Sequence, residues 1–353
     1  MADYKAIKGF TIQEVDTDPT LIQGQVWYNA ITGKLKATGL GAGSWATGTV
    51  VNSGRASGLM SGGTYTAAII AGGNLLPPVG VSALTEIWDG SSWTESGDLN
   101  QRRDHVTGMG TTTAALAIGG HYFTPFPYTP GQPHTGYPAA DLSETYDGSG
   151  WTETGDIPAA RAYGGACGTT TAGLYIGGLA LPPISPRDRA ETFEYNGTSW
   201  TDASADTGSS YYDFGATGTA TAAIWAGGVN YSPVAFRADS QTFDGSSWTD
   251  APDINTARKF YNHISGIQTD AIFFGGHSTP GFNKQTELFD GTSWTETTDL
   301  NTNHSGGGGS KNHGSSANAL AISGTAVPGG TTETTAVEEW SGPSVAARTF
   351  TSS

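Results

Sequence analysis

The chain has almost no cysteine and little charge. Cys167 is the single cysteine among 353 residues, so no disulfide can form within one chain, and its Ala-Cys-Gly setting reads as a buried, inert thiol. Only 14% of residues are charged, and acids outnumber bases 32 to 16 for a net charge of −16. That balance argues against nucleic acid or an anionic membrane surface as the main partner. No run approaches the roughly eighteen apolar residues of a membrane-spanning helix. The opening Met1-Ala-Asp-Tyr-Lys-Ala-Ile-Lys8 lacks the apolar centre of a secretory signal. A soluble chain without a visible export signal is the expectation. The seven histidines are scattered without metal-ligand spacing, so neither a metal nor another cofactor is expected. The residue in excess is glycine, at 52 positions, the composition of close strands and tight turns rather than helices.

Those glycines fall in a repeat. An apolar run closes on Gly119-Gly120, and Glu144-Thr-Tyr-Asp-Gly-Ser-Gly-Trp151 follows. The phrase returns around Gly72-Gly73 with Trp93, Gly177-Gly178 with Trp200, Gly227-Gly228 with Trp248, and Gly275-Gly276 with Trp294. A degraded sixth copy runs from Ile322-Ser-Gly324 to Trp340-Ser-Gly342. Successive tryptophans from Trp45 to Trp294 lie 48, 58, 49, 48 and 46 residues apart. That period is the span of one four-stranded propeller blade. Within each copy the short unbroken apolar run reads as a strand buried on both faces. A four-residue strand ending in an aromatic comes next, then an Asp-Gly or Asn-Gly turn, then a strand opening with Trp. The reading is an all-β, six-bladed β-propeller over residues 42–342, with a short N-terminal β-hairpin extension. Trp45 begins an outer strand that belongs to no blade before it, while the sixth copy lacks its own. The economical solution closes the ring by giving the Trp45 strand to blade 6, leaving no open edge.

The Gly-Gly, aromatic-Asp/Asn-Gly and Trp marks at these offsets resemble kelch repeats. Ser323 for the first Gly and Ser341 for the turn Asp are departures in the sixth copy. A sialidase-type Asp box fails on spacing, because Trp93 follows Asp89 by four residues with Gly90 directly after the Asp. Residues 1–41 do not carry the repeat. Phe10-Thr-Ile-Gln-Glu-Val15 alternates as a strand, and Gln25-Val-Trp-Tyr-Asn29, Ala30-Ile-Thr-Gly33 and Lys34-Leu-Lys-Ala37 read as a β-hairpin. This segment resembles the short hairpin at the front of tail-fibre-like proteins of tailed phages, often marine ones. Residues 1–41 are therefore expected to be an attachment hairpin, with the adjacent Trp27 and Tyr28 as assembly contacts. Residues 343–353 form a tail with no assigned place.

Arg55, Arg103, Arg161 and Arg258 stand ten residues after a repeat Trp, with Ser210 and His304 at the same offset. Two readings stay open: each arginine stacks under an aromatic and bonds loop carbonyls, or together they form a cationic ring at one channel mouth. Strand direction puts the loops after Gly-Gly on that same face. Those loops carry His121, Tyr122, Phe123, Phe126, Tyr128, Tyr137, Tyr231, Phe236 and Phe282, interleaved with prolines that stiffen them. With the arginines and His304 they make the candidate ligand surface, suited to the apolar faces of sugar rings.

No catalytic constellation emerges. The copper oxidases that share kelch blades need a Tyr–Cys crosslink beside two His, and Cys167 lies in an inner-strand region instead. Gly306-Gly-Gly-Gly-Ser-Lys311 lacks the Gly-Lys-[Ser/Thr] order of a phosphate loop. The two resemblances imply a non-enzymatic virion structural protein, of tail or fibre type and present in multiple copies. It would join other virion proteins through residues 1–41 and present its loops to a host-surface glycan or receptor. The alternative is a cellular kelch-type protein-interaction module, cytoplasmic or extracellular; a carbohydrate-active enzyme ranks below both.

Overall fold

The structure, a computed structural model, describes residues 12–75, 80–122, 139–180, 187–203, 205–279, 281–311, 314–325 and 333–350. Every regular element among them is a β-strand. The chain divides into two compact units, Trp45–Ser341 and Met1–Ser44 with Gly342–Ser353.

The larger unit holds six four-stranded antiparallel sheets, one per sequence repeat. Sheet 1 is Met60–Thr64, Ala67–Ala71, Thr85–Trp88 and Trp93–Glu95; sheet 2 is Thr107–Thr111, Ala114–Ile118, Ser143–Tyr146 and Trp151–Glu153. Sheet 3 is Gly165–Gly168, Gly173–Ile176, Thr192–Tyr195 and Trp200–Asp202; sheet 4 is Gly215–Thr219, Ala222–Ala226, Ser240–Phe243 and Trp248–Ala251. Sheet 5 is Ile264–Ile267, Asp270–Phe274, Thr286–Phe289 and Trp294–Glu296. Sheet 6 takes Gly308–Gly309, Asn318–Ile322 and Val337–Ser341 from the end of the chain and Ser44–Thr47 from its beginning.

The local grammar works as residue chemistry requires. In sheet 1 the Asp89 carboxylate accepts the Ser91 and Ser92 amides at 2.8 Å, and Gly90 turns with φ 93. The turn sets the register Trp88↔Trp93, and the two rings lie 5.4 Å apart. Equivalent pairs close every sheet, ending with Trp340 against Trp45 at 5.4 Å. The Trp45 indole also donates to Thr286 Oγ1 of sheet 5 at 2.9 Å, as Trp151 of sheet 2 donates to Thr85 of sheet 1.

Among the described residues there is no single central core. Six apolar clusters each sit between two consecutive sheets, and one of them joins sheet 6 to sheet 1 through Leu320, Ile322, Leu59 and Ile70. The second glycine of each pair donates its amide to the lead-in loop of the next sheet. Gly73 donates to Arg103 O, Gly120 to Arg161 O, Gly178 to Tyr211 O, Gly228 to Arg258 O, Gly276 to His304 O and Gly324 to Arg55 O, at 2.7–3.1 Å. The first glycine is needed because a Cβ there meets that same carbonyl, 2.4 Å away at Gly227 and 2.5 Å at Gly119. Ser323 is the exception that explains itself. It adopts φ 58 and its hydroxyl donates to the Arg55 carbonyl at 2.7 Å, so the clash becomes a hydrogen bond.

In the smaller unit Val26–Asn29 lies between Gln13–Val15, parallel, and Lys34–Leu40, antiparallel. The C-terminal Val345–Thr349, unplaced by sequence, pairs antiparallel with Lys34–Leu40 as the fourth strand. Trp27 is fully buried, and its indole donates to Asp18, which also takes Asn29 and Lys36. The Lys36 bond first, then those of Trp27 and Asn29, hold the Asp18 carboxyl down at about 2.

Candidate functional site

The lead-in loops of the six sheets meet one another on one side of the larger unit. Each places a residue in the left-handed region: Ser57, His105, Tyr163, Asp213, Tyr261 and Gly306, with φ between 48 and 75. These positions are linked by backbone hydrogen bonds, His105 N to Ser57 O, Tyr163 N to His105 O, Asp213 N to Tyr163 O and Tyr261 N to Asp213 O. Gly58 N donates to Gly306 O at 2.9 Å. Five non-glycine residues at positive φ in these linked loops are a cost that their surroundings impose. The loops leaving each Gly-Gly pair return to the same side, because the residue after the pair bridges the lead-in loop: Asn74 with Ala56, His121 with Asp104, His277 with Lys259.

These loops bring aromatics and charge together. His105 lies 3.9 Å from Tyr163 and 5.3 Å from His121 between ring centroids, and Tyr212 meets Tyr163 at 5.7 Å. The buried Asp213 takes Lys259 Nζ at 3.0 Å, and that ammonium stands 4.5 Å over the Tyr261 ring. A small pocket opens between His105, Tyr163, Asp213 and Tyr261. Burial would lower Lys259, but Asp213 and Tyr261 hold it above its ordinary range. Burial and the nearby Asp213 push the Tyr261 hydroxyl up to about 12 and raise Tyr163 as well. Near neutral pH these loops therefore hold neutral phenols, ring faces and one fixed ion pair.

The repeat arginines are elsewhere, which corrects the cationic-ring reading. Arg55, Arg103 and Arg258 are fully buried, each paired to a glutamate of its own sheet: Glu86, Glu144 at 2.8 Å and Glu287 at 2.6 Å. Arg103 also donates to the Gly119 and Leu142 carbonyls, and Arg258 stacks over Phe260 at 4.6 Å. His304 is equally buried, between Ser323 O and Glu338, whose carboxyl burial would raise but His304 and Thr302 hold at about 2. A buried guanidinium requires a carboxylate, and these three are shut off from solvent, so they clamp the lead-in loops rather than face a ligand. Arg161 departs from the pattern because Phe193 occupies the glutamate position. It lies over that ring at 5.8 Å and meets the half-buried Glu191 at 3.5 Å, beside a cavity lined also by Asp202 and Asp206. In sheet 4 the equivalent residue is Tyr211 rather than Ser210, since the loop is one residue longer.

Of the predicted loop residues, His121 is buried beside Asp104 and Tyr122 is half-buried. Tyr231 is 38% exposed beneath the Arg187 guanidinium, and Phe236 and Phe282 flank His277 at 5.3 and 5.2 Å. Phe123, Phe126, Tyr128 and Tyr137 lie outside the described residues. Trp27, expected as an assembly contact, is buried within its own unit and Tyr28 is half-buried. Among the described residues, the large apolar side chains exposed there are Ile22, Val26, Ile31 and Phe350. Cys167 is buried, and burial pushes its thiol up to about 12. Sequence reasoning missed His105, Tyr163, Asp213, Lys259 and Tyr261. The signal was there: each falls one to three residues after the repeat position held by Arg103, Arg161, Tyr211 or Arg258.

No protein-family model matches the chain, and a search of curated proteins finds no match.

Proposed function

We propose that Trp45–Ser341 is a six-bladed β-propeller of kelch type, and that the chain is a non-enzymatic virion structural protein whose loop side binds a host-surface carbohydrate. The ring reading is supported by the relay from each Gly-Gly pair into the next lead-in loop, which returns from Gly324 to Arg55. The binding reading rests on one observation: His105, Tyr163, Tyr212 and Tyr261 converge where the loops meet, with the Asp213–Lys259 pair among them. Half-buried rings beside fixed polar groups suit the two faces of a sugar, apolar on one side and hydroxylated at the edge. The virion reading is supported by the tail-fibre resemblance of residues 24–37, which fall in a unit separate from the sheets.

Two measurements test it. The chain should be found by mass spectrometry in purified particles of the virus that encodes it; a virion without the chain overturns the virion reading. The full-length chain should bind an array of surface glycans, and Tyr163→Ala and Tyr261→Ala should each weaken that binding at least tenfold. Retained binding in both folded variants overturns the choice of this pocket.

A further inference from the structure

Beside the aromatic ring, Asp104, His105 and His121 bring three metal-capable donors within 4.8 Å of one another. Sequence spacing conceals them, because sixteen residues separate His105 from His121. The fold brings them together in two ways. Asp104 and His121 exchange both backbone hydrogen bonds, Asp104 N to His121 O at 3.0 Å and His121 N to Asp104 O at 2.8 Å. Directly paired residues on neighbouring strands project to one side of the ladder. His105 follows Asp104 and in extended backbone would point the opposite way. Its φ of 48 turns it back, and its amide is held by Ser57 O at 2.7 Å.

The three donors are close enough to share one ion. His105 Nδ1 lies 3.1 Å and His121 Nδ1 3.5 Å from Asp104 Oδ1. Ligand atoms about 2.0–2.1 Å from one tetrahedral ion are separated by roughly 3.3 Å. These contacts fall short of hydrogen-bond geometry at Asp104 Oδ1 and His105 Nδ1 among the described residues. Asp104 is only 3% exposed. A buried carboxylate oxygen without a hydrogen bond is costly unless something else meets it.

We propose that Asp104, His105 and His121 form a binding site for a divalent transition-metal ion of the zinc class. Two imidazoles and one carboxylate select such ions over calcium and magnesium, which prefer all-oxygen shells. Three protein donors leave a coordination position for water or for an oxygen of a bound molecule. His105 also lines the pocket described above, so the ion would sit at its edge. This inference does not depend on the carbohydrate reading.

The full chain, stripped with chelator and dialysed, is titrated calorimetrically with Zn²⁺, with Ca²⁺ and Mg²⁺ as controls. One Zn²⁺ per chain and no Ca²⁺ or Mg²⁺ uptake are expected. Asp104→Asn, His105→Gln and His121→Gln should each weaken Zn²⁺ binding more than about 100-fold, beyond what second-shell changes cause. His277→Gln, at the equivalent position of sheet 5, should leave it unchanged. If a ligand variant does not fold, X-ray absorption of the Zn²⁺-loaded parent decides: scattering from two imidazoles is required. No Zn²⁺ uptake by the folded parent, equal binding by His121→Gln, or a spectrum without imidazole overturns the proposal.

Discussion

Glu287→Gln exchanges one atom and tests what the repeat arginines do. Glu287 is fully buried, with Oε1 on Arg258 Nη1 at 2.6 Å and Oε2 on the Asn255 amide and Nδ2, each at 2.7 Å. An amide keeps one oxygen, so either the guanidinium or both Asn255 donors face an NH₂ group, and Arg258 loses its counter-charge. Removing one partner of a buried pair costs about 3–5 kcal/mol, mostly from the charge left behind. Glu191→Gln is the internal control, because the Glu191 side chain is 35% exposed and its contact with Arg161 is 3.5 Å. Exposed pairs contribute about 0–1 kcal/mol, so this variant should lose no more than about 1 kcal/mol. Replacing both partners, Arg258→Met with Glu287→Leu, should cost clearly less than the two single changes together. Urea unfolding followed by tryptophan fluorescence and far-UV circular dichroism reads these two variants, the double replacement and its two single changes. A Glu287→Gln protein within about 1 kcal/mol of the parent, or less affected than Glu191→Gln, refutes the clamp.

Two further outcomes follow from the same structure. Trp45→Ala should destabilise the larger unit by about 3–5 kcal/mol, because the ring packs on Phe274 at 4.9 Å and Trp340 at 5.4 Å and carries the Thr286 hydrogen bond; unchanged thermal unfolding would show that sheet 6 does not need its early-chain strand. Lys311 is buried, with Asn262 Oδ1 at 2.6 Å, Thr107 Oγ1 and the Gly108 carbonyl as acceptors and no carboxylate bonded to it among the described residues, and burial lowers its ammonium to about 7. In the unfolded chain Lys titrates near 10.4, so between these values the unfolded state holds a proton that the folded state lacks. Stability should therefore rise from pH 7 towards pH 10, and Lys311→Met should flatten that rise; equal slopes in both proteins would exclude Lys311 as its source.

The strands, their ends and their turns were legible because they are decided within a few residues of chain. A buried strand needs an unbroken apolar run, and a tight turn needs Asp-Gly or Asn-Gly; both recur at a fixed period. Of the glycine run 306–309, Gly308–Gly309 forms the inner strand of sheet 6, with no room for side chains, since a Cβ on Gly309 would lie 2.5 Å from Ile264 O. What the sequence could not carry is which distant groups answer one another. The arginines were visible at their repeat position, but only packing shows whether a guanidinium faces solvent or a glutamate some thirty to forty residues further on. The C-terminal strand alternates too weakly to announce a partner, and its place beside Lys34–Leu40 follows from an open sheet edge that only the fold presents. Asp104, His105 and His121 meet because one backbone ladder pairs two of them and a left-handed residue turns the third. Local propensity thus determined the elements of this protein, whereas burial and charge pairing, which act between elements, decided its candidate sites.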